Sequence, residues 1–276
     1  MKNIKIFEAF AGIGSQFKAL KNIARQRQWN IIHSGMIEWY VDAIIAYVAI
    51  HAPEFKPKIE NLNAIKNISY DSKSLASQNA INKLNNSLKA SYLNYSKNQF
   101  NNLFDIKSAK AYDIEKNIDI FTYSFPCQDL SVQGLQKGMN QKDNTRSGLL
   151  WEIGRILFEI KKQFKKEEMP KYLLMENVKN ILGKNNKQNF LKWINTLNKL
   201  GYLSKTYVLN SKHFGSCQSR DRVFCLSIRK DYYQKINFKF PDLEKIRIQS
   251  KPIKDILINS NDNIYIYKQF FNNQLK

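Results

Sequence analysis

Charged and apolar residues alternate over 2–10, the period of a strand. A glycine turn follows at 11–15, and then Phe17, Leu20, Ile23 and Ala24 recur at helical spacing, which predicts a helix over 16–28. A second strand is expected at 31–37, closing on Glu38 and Trp39. After it, 41–50 has the wide apolar face of a helix that Pro53 and Pro57 break. Residues 58–99 are polar, rich in Asn, Ser and Lys. One helix is expected there, over 80–97, and the remainder of 58–100 reads as an insertion-like loop. The apolar run 118–124 predicts a buried strand, and Pro126 ends it, because the residue before a proline is held extended. Beyond it come a loop over 129–145 with Gly134 and Gly138, an amphipathic helix at 149–164 and a short buried strand at 172–175. Glu176, Asn177 and Val178 follow that strand, a helix spans 189–200 and stops at Gly201, and strands are expected at 205–209 and 223–227. Strands alternating with helices predict an α/β fold: a doubly wound, mostly parallel sheet with helices on both faces. The pattern thins after 243, leaving one strand-like piece at 264–267. The expected organisation is therefore one main domain over 1–243 and a tail over 244–276.

Composition narrows the setting. With 276 residues and 43% hydrophobic content the chain can bury one full core. Its cysteines are Cys127, Cys217 and Cys225, an odd set at irregular spacing. That argues against a disulfide framework and against a zinc site, so no metal is expected and a reducing cytoplasm is the natural compartment. The N-terminus runs straight into a strand without a signal-peptide core. The longest apolar stretch, 43–50, is far shorter than a bilayer span, so no membrane partner is expected. Lys and Arg number 44 against 23 Asp and Glu, a formal net charge of +21. Such an excess favours a polyanion, nucleic acid above all, although AT-rich coding would also fill a chain with Lys, Asn and Ile.

Several residues then stand out for their chemistry. Phe10-Ala11-Gly12-Ile13-Gly14 forms the turn between the first strand and the first helix, where backbone can approach a ligand. The dinucleotide fingerprint wants a third glycine three places on, where this chain has Phe17, so a nucleoside without a pyrophosphate fits better. Glu38, 24 residues past Gly14, is placed to accept hydrogen bonds from ribose hydroxyls, with Trp39 beside it for a base or sugar. Cys127 and Glu176 each follow a central strand and should open onto one edge of the sheet. A thiol and a carboxyl there suggest covalent catalysis with an acid partner. The thiol needs a cation to ionise, and Arg220 and Arg222 are candidates. Read blandly, the same residues are an inert buried thiol, a helix cap and a charged hairpin turn.

In order and wording these pieces resemble the DNA cytosine-5 methyltransferase family, with the flavour of its bacterial CpG-specific members. The carriers are Phe10 to Gly14, Glu38-Trp39, Asp105-Ile106, Pro126-Cys127-Gln128, Thr145-Arg146-Ser147-Gly148-Leu149, Glu176-Asn177-Val178, and Gln218, Arg220 and Arg222 at alternate positions, together spanning roughly 4–228. The resemblance implies a Rossmann-like fold with S-adenosylmethionine as cofactor. Phe10, Ala11, Gly12, Ile13 and Gly14 would hold it, with Glu38 and Trp39 at the ribose and Asp105 at the adenine amino group. Ile106, Pro126 and Leu149 would wall the pocket. The substrate would be a cytosine flipped out of double-stranded DNA, attacked at C6 by Cys127 and held at N3 by protonated Glu176. Arg220 and Arg222 would hold the base oxygen and a nearby phosphate. Gln128, Ser131, Gln133, Arg146, Asn177 and Gln218 would contact DNA, the loop after Cys127 closing as a lid. A bacterial nucleoid-associated enzyme of a restriction-modification or orphan system is the implied setting.

Family members usually continue into a target-recognition domain and a last Gly-Asn-Ser segment, and neither is found in this sequence. The resemblance therefore implies a C-terminally truncated chain, with 244–276 as the start of a cut-off target-recognition region or a tail, and a complementing chain that would supply both missing parts. The alternative is an inactive remnant that binds DNA non-specifically through phosphate contacts. A thiol hydrolase or nicotinamide enzyme is a third class. It has only His33, His51 and His213 to pair with a thiol, and the incomplete fingerprint.

Overall fold

The computed structural model describes residues 1–126, 146–250 and 252. Two compact units emerge, Met1–Val208 with Val223–Phe240, and Leu209–Arg222 with Pro241–Lys276.

In chain order the main elements are β1 (Lys2–Ala9), α1 (Ser15–Arg27), β2 (Trp29–Ile37), α2 (Val41–His51), α3 (Gln78–Asn82), α4 (Leu88–Gln99) and β3 (Ile120–Tyr123), then α5 (Leu150–Gln163), β4 (Tyr172–Val178), α6 (Lys187–Leu200), β5 (Tyr202–Asn210), β6 (Asp221–Arg229) and α7 (Lys230–Lys235). Among the described residues the strands form one sheet in the order β2-β1-β3-β4-β6-β5. β1 runs parallel to β2 and β3, and β3 parallel to β4. β5 and β6 form an antiparallel hairpin, marked by Ser204 Oγ to Ser227 Oγ at 2.7 Å.

Strand periodicity explains why both faces are covered. On β1, Ile4 and Ile6 pack with Phe17 and Leu20 of α1 and Tyr47 and Val48 of α2. Phe7 and Ala9, at the intervening positions, join the core that α5 and α6 supply through Ile153, Leu157, Trp193 and Leu197. Glu8 points with Ile4 and Ile6. It is 2% exposed and tolerated there because Tyr47 Oη donates to its Oε2 at 2.7 Å.

The structure departs from the sequence expectation in two places. The helix expected over 80–97 is two helices, α3 and α4. Between them Asn86 adopts φ 56° and Ser87 becomes a fresh N-cap, its Oγ accepting the Ala90 N–H at 3.2 Å. The polar 58–100 stretch also buries Ile65, Ile68, Ile81, Leu84 and Leu93 against Val41 and Ile44 of α2. In addition, Glu176, Asn177 and Val178 are the last residues of β4 rather than the turn after it. The strand-like piece at 264–267 lies outside the described residues. Among the described residues no helix is long and apolar enough to cross a membrane, and no His, Cys, Asp and Glu cluster could hold a metal.

In the second unit, the described residues form a tight hairpin tip. Ser211 N–H donates to Arg220 O at 3.0 Å, Asn210 Nδ2 to Asp221 Oδ1 at 2.8 Å, and Ile248 N–H to His213 O at 2.8 Å.

Candidate active site

The turn from β1 into α1 leaves the ordinary backbone regions three times in five residues. Phe10, Gly12 and Gly14 have φ of 55°, 55° and 74°. A non-glycine residue held there stores of order 1–3 kcal/mol, and such positions cluster at ligand clamps. The bend turns Gly12 N–H towards β2, where it donates to Glu38 Oε2 at 2.8 Å. The other carboxylate oxygen, Oε1, accepts Tyr40 N–H at 2.8 Å. Glu38 is only 9% exposed, and burial raises its pKa even though the backbone N–H groups of Tyr40, Gly12 and Trp39 favour the ionised form. Asn102 fixes the backbone beneath it, accepting Glu38 N–H at 3.1 Å and donating to Glu38 O at 3.0 Å.

Next to this carboxylate runs the segment that carries Asp105 and Ile106. Leu103 N–H donates to Met36 O at 2.9 Å, and Asp105 Oδ1 accepts Lys107 N–H at 3.1 Å. Arg155 on α5 holds the segment from behind. Its Nη2 donates to the carbonyls of Ile106 and Ala109 at 2.9 and 2.8 Å, while Glu152 and Glu159 fix the guanidinium at 2.7 and 2.6 Å. A guanidinium satisfied on all sides is a stiff brace.

These segments enclose a cavity of about 590 Å³ at the carboxyl end of β1, β2 and β3. Phe10 and Gly12 line it from the first turn, Glu38 and Trp39 from the end of β2, and Asp105 and Ile106 from the segment after α4. Pro126 and Leu149 line it as well. The position is where ligands gather on open α/β sheets, and the volume suits a drug-sized ligand. Ala11, Ile13 and Gly14 belong to the same turn but not to the lining. Ile13 is 49% exposed, and its carbonyl faces His51 Nε2 at 3.1 Å. Because a carbonyl only accepts, Nε2 carries the proton, and burial lowers the His51 pKa. Gly14 packs against that helix: a β-carbon there would collide with the rings of His51 and Tyr47.

β3 and β4 are neighbours in the middle of the sheet. Asn177, 3% exposed near the end of β4, donates Nδ2–H to Phe125 O at 3.0 Å and ties the two strand ends together. One residue earlier, Gln16 ties α1 to the end of β3, donating Nε2–H to Ser124 Oγ at 2.8 Å. Glu176 is half-buried and points to the other face of β4 from Asn177. Cys127, Gln128, Ser131 and Gln133 lie outside the described residues. Arg146 opens the short 3₁₀ helix Arg146–Leu149. Gln218, Arg220 and Arg222 belong to the second unit, where Arg222 Nη1 donates to Asp221 O at 2.7 Å.

Sequence reasoning missed several contributors, among them one segment of the wall and two of its supports. Ser72 to Leu75 line the cavity from within the stretch expected to be a loop. Asn102 and Arg155 support the lining without belonging to it. The Asp71-x-x-Ser74 turn signature was the only local signal for the first. Asn102 has none, since it meets the backbone N–H and C=O of distant Glu38. Glu152 and Glu159, three and four residues from Arg155, signal its pairing on α5 but not its hold on the Ile106 and Ala109 carbonyls.

A sheet with one antiparallel strand inserted near its edge, helices on both faces and a nucleoside-sized cavity at its carboxyl end defines a Rossmann-like methyltransferase fold. The crystal structure of Schizosaccharomyces pombe Dnmt2 methyltransferase shares it, with a TM-score of 0.55 at 18% identity over 95% of this chain and 61% of that one. Residues 73–276 match the family model for C-5 cytosine-specific DNA methylases. The orphan methyltransferase M.SssI of Spiroplasma monobiae is 41% identical over 288 aligned residues, covering 100% of this chain and 69% of that protein. The type II methyltransferase M2.ScrFI of Lactococcus lactis subsp. cremoris is 37% identical, over 89% of this chain and 66% of that protein. The chain belongs to the C-5 cytosine-specific DNA methylase family.

Proposed function

We propose that this chain methylates C5 of cytosine in duplex DNA, with S-adenosylmethionine held in the cavity described above. The observation that carries the reading is convergence. Four stretches far apart in sequence, around Phe10, Glu38, Asp105 and Pro126, wall one cavity in a chain of this family. The donor set fits the cofactor. Glu38 retains lone pairs for two ribose hydroxyls after accepting Gly12 and Tyr40 N–H. Ile37, Phe104, Ile106 and Leu149 offer apolar surface to a flat base, with Asp105 at its polar edge. When bound, the cofactor supplies an electrophilic methyl group on a sulfonium.

The remaining steps fall to side chains. A cytosine inside the stack is unreachable and must be extruded. Its C5 is a poor nucleophile, so the Cys127 thiolate adds to C6 and turns the ring into an enamine. Glu176, protonated, hydrogen-bonds N3 and the exocyclic amine and draws electrons from the ring as C5 attacks the methyl group. Transfer of the C5 proton to solvent water and expulsion of the Cys127 thiolate from C6 then restore aromaticity. Arg220 and Arg222 hold the base oxygen and a phosphate, and Gln128, Ser131, Gln133, Arg146, Asn177 and Gln218 contact DNA. The excess of 44 basic over 23 acidic residues supports duplex binding through phosphates. The corresponding setting is bacterial DNA modification, orphan or paired with restriction.

The test offers methyl-labelled cofactor and duplex DNA to the purified chain and to Cys127→Ser. Label on cytosine C5 is expected with the unaltered chain. The variant should lose transfer while keeping cofactor affinity, because the thiol is not a cofactor ligand. Undiminished transfer by Cys127→Ser, or label on another atom, would falsify the assignment.

A further inference from the structure

The turn formed by residues 71–75 brings Ser72 to Leu75 into the cavity wall, a part of it that the proposed chemistry does not use. It is anchored beside Glu38. Ser69 N–H donates to Trp39 O at 2.8 Å, and Ser69 O accepts Val41 N–H at 2.9 Å, so the chain is pinned on both sides of Tyr40. Ala76 N–H donates to Ile68 O at 2.7 Å and closes the loop. Inside it Asp71 organises the turn. Its Oδ1 accepts Lys73 N–H at 2.8 Å, Ser74 N–H at 3.0 Å and the Ser69 hydroxyl at 3.1 Å. Those donors hold the carboxyl down to a pKa of about 2, so it stays ionised at any working pH. Ser72 takes φ 60° to complete the bend. The turn then presents Leu75 to the cavity. Leu75 is 50% exposed, while its neighbours Ile65 and Ile68, at 4% and 0%, anchor the segment in the core. Its apolar surface is thus spent on the cavity rather than on folding.

We infer that the 71–75 turn is the outer wall of the nucleoside subsite, with Leu75 packing on the adenosine part of the methyl donor and Asp71 acting as the positioning residue that holds it there. The inference rests on the reading that the cavity takes S-adenosylmethionine. It goes further by naming which part of the ligand this turn touches. The sulfonium must lie towards Pro126, from which Cys127 follows, so that the methyl group can reach the cytosine. A turn hung from Trp39 and Val41 stands instead with Glu38, at the sugar and base.

The test uses the full chain and two probes, S-adenosylhomocysteine and 5′-methylthioadenosine, which shares the nucleoside and thioether but lacks the amino-acid arm. Calorimetric titration compares the unaltered chain with Leu75→Ser, Asp71→Ala, Asp71→Asn and Glu38→Ala. Leu75→Ser should weaken both probes by the same factor, about tenfold, the effect of losing roughly half a leucine's burial. Asp71→Ala should weaken both to a smaller degree. Asp71→Asn should restore near-normal affinity, because its amide oxygen can accept the same N–H groups. The thermal midpoint of Leu75→Ser should stay level, since that side chain is half exposed. Asp71→Ala, which loses the bonds that order the turn, should lower it slightly and Asp71→Asn should restore it. Normal affinity in Leu75→Ser and Asp71→Ala, with binding lost in Glu38→Ala, would overturn the inference and leave the cavity reading standing. So would a Leu75→Ser effect on S-adenosylhomocysteine alone. Asp71→Asn as weak as Asp71→Ala would overturn the positioning role, and failure of the unaltered chain to bind either probe would overturn both readings.

Discussion

At the amino ends of β3 and β4, charge sits in pairs near water. Lys171 Nζ meets Asp119 Oδ1 at 2.6 Å and Lys5 Nζ meets Glu115 Oε2 at 3.0 Å, with Glu115 half exposed. At the carboxyl ends of β1 and β2, the Glu38 carboxylate is buried and faces backbone N–H groups instead of a cation. The first arrangement is tolerant. Exposed pairs contribute about 0–1 kcal/mol each and weaken with salt. The second is costly in isolation and useful with a ligand. Burial raises the Glu38 pKa, and the turn that meets it holds Phe10 at positive φ. One end of the sheet closes the fold, while the other keeps polar groups in place for something else to bind.

Three experiments sharpen that contrast. The largest effect is expected from Glu176→Gln at the carboxyl end of β4. Single-turnover methyl transfer should slow by about 10²–10⁴-fold, the usual worth of a positioned acid, with an unchanged melting midpoint. Next is Glu38→Gln, expected to weaken cofactor binding by roughly 10- to 100-fold, the worth of hydrogen bonds to a charged acceptor. Its pH signature is specific. Because the folded pKa is raised, Glu38 adds stability that is fully present below its unfolded value and is lost as pH rises through the folded value. Ribose binding needs the ionised acceptor and runs the other way. Cofactor-induced stabilisation should therefore grow with pH just above the ordinary glutamate range, and Glu38→Gln should flatten that growth in a thermal-shift series. The smallest effect belongs to the other end. Lys5→Met should change unfolding free energy in urea by less than about 1 kcal/mol and leave methyl transfer untouched. A loss of activity there would erase the distinction between the two ends.

Much of this architecture was legible in the chain itself. A broadly alternating run of charged and apolar residues marked β1, and apolar residues at helical spacing marked α1, α5 and α6. The proline after Phe125 marked the end of β3. Glu38 was legible because its partner, the glycine turn, lies at a familiar sequence distance. The 58–100 stretch was not, because its buried residues, Ile65, Ile68, Ile81, Leu84 and Leu93, are too widely scattered to show a period. The helix break at 83–87 escaped notice for a related reason. Asn86 can adopt a left-handed conformation, but an Asn-rich segment gives no hint which asparagine will. Arg155 and Asn102 reach the cavity wall through carbonyls and amides that every residue carries, so the Glu152-Arg155-Glu159 pattern announces a paired arginine but not its grip on the wall. Gly14 was read as ligand-facing because glycine turns often are, whereas in the fold its missing β-carbon makes room for α2.

That last substitution of roles has a mechanical side. α1 begins where His51, the final residue of α2, presses on Gly14, and the imidazole also grips the Ile13 carbonyl. The two helices are keyed like a tongue in a slot, with hydrogen as the only side chain thin enough to slide past. A shift of α2 would drag the Phe10–Gly12 bend along with it, so the shape of the ligand's doorway is set partly by a helix that never touches the ligand through that ring.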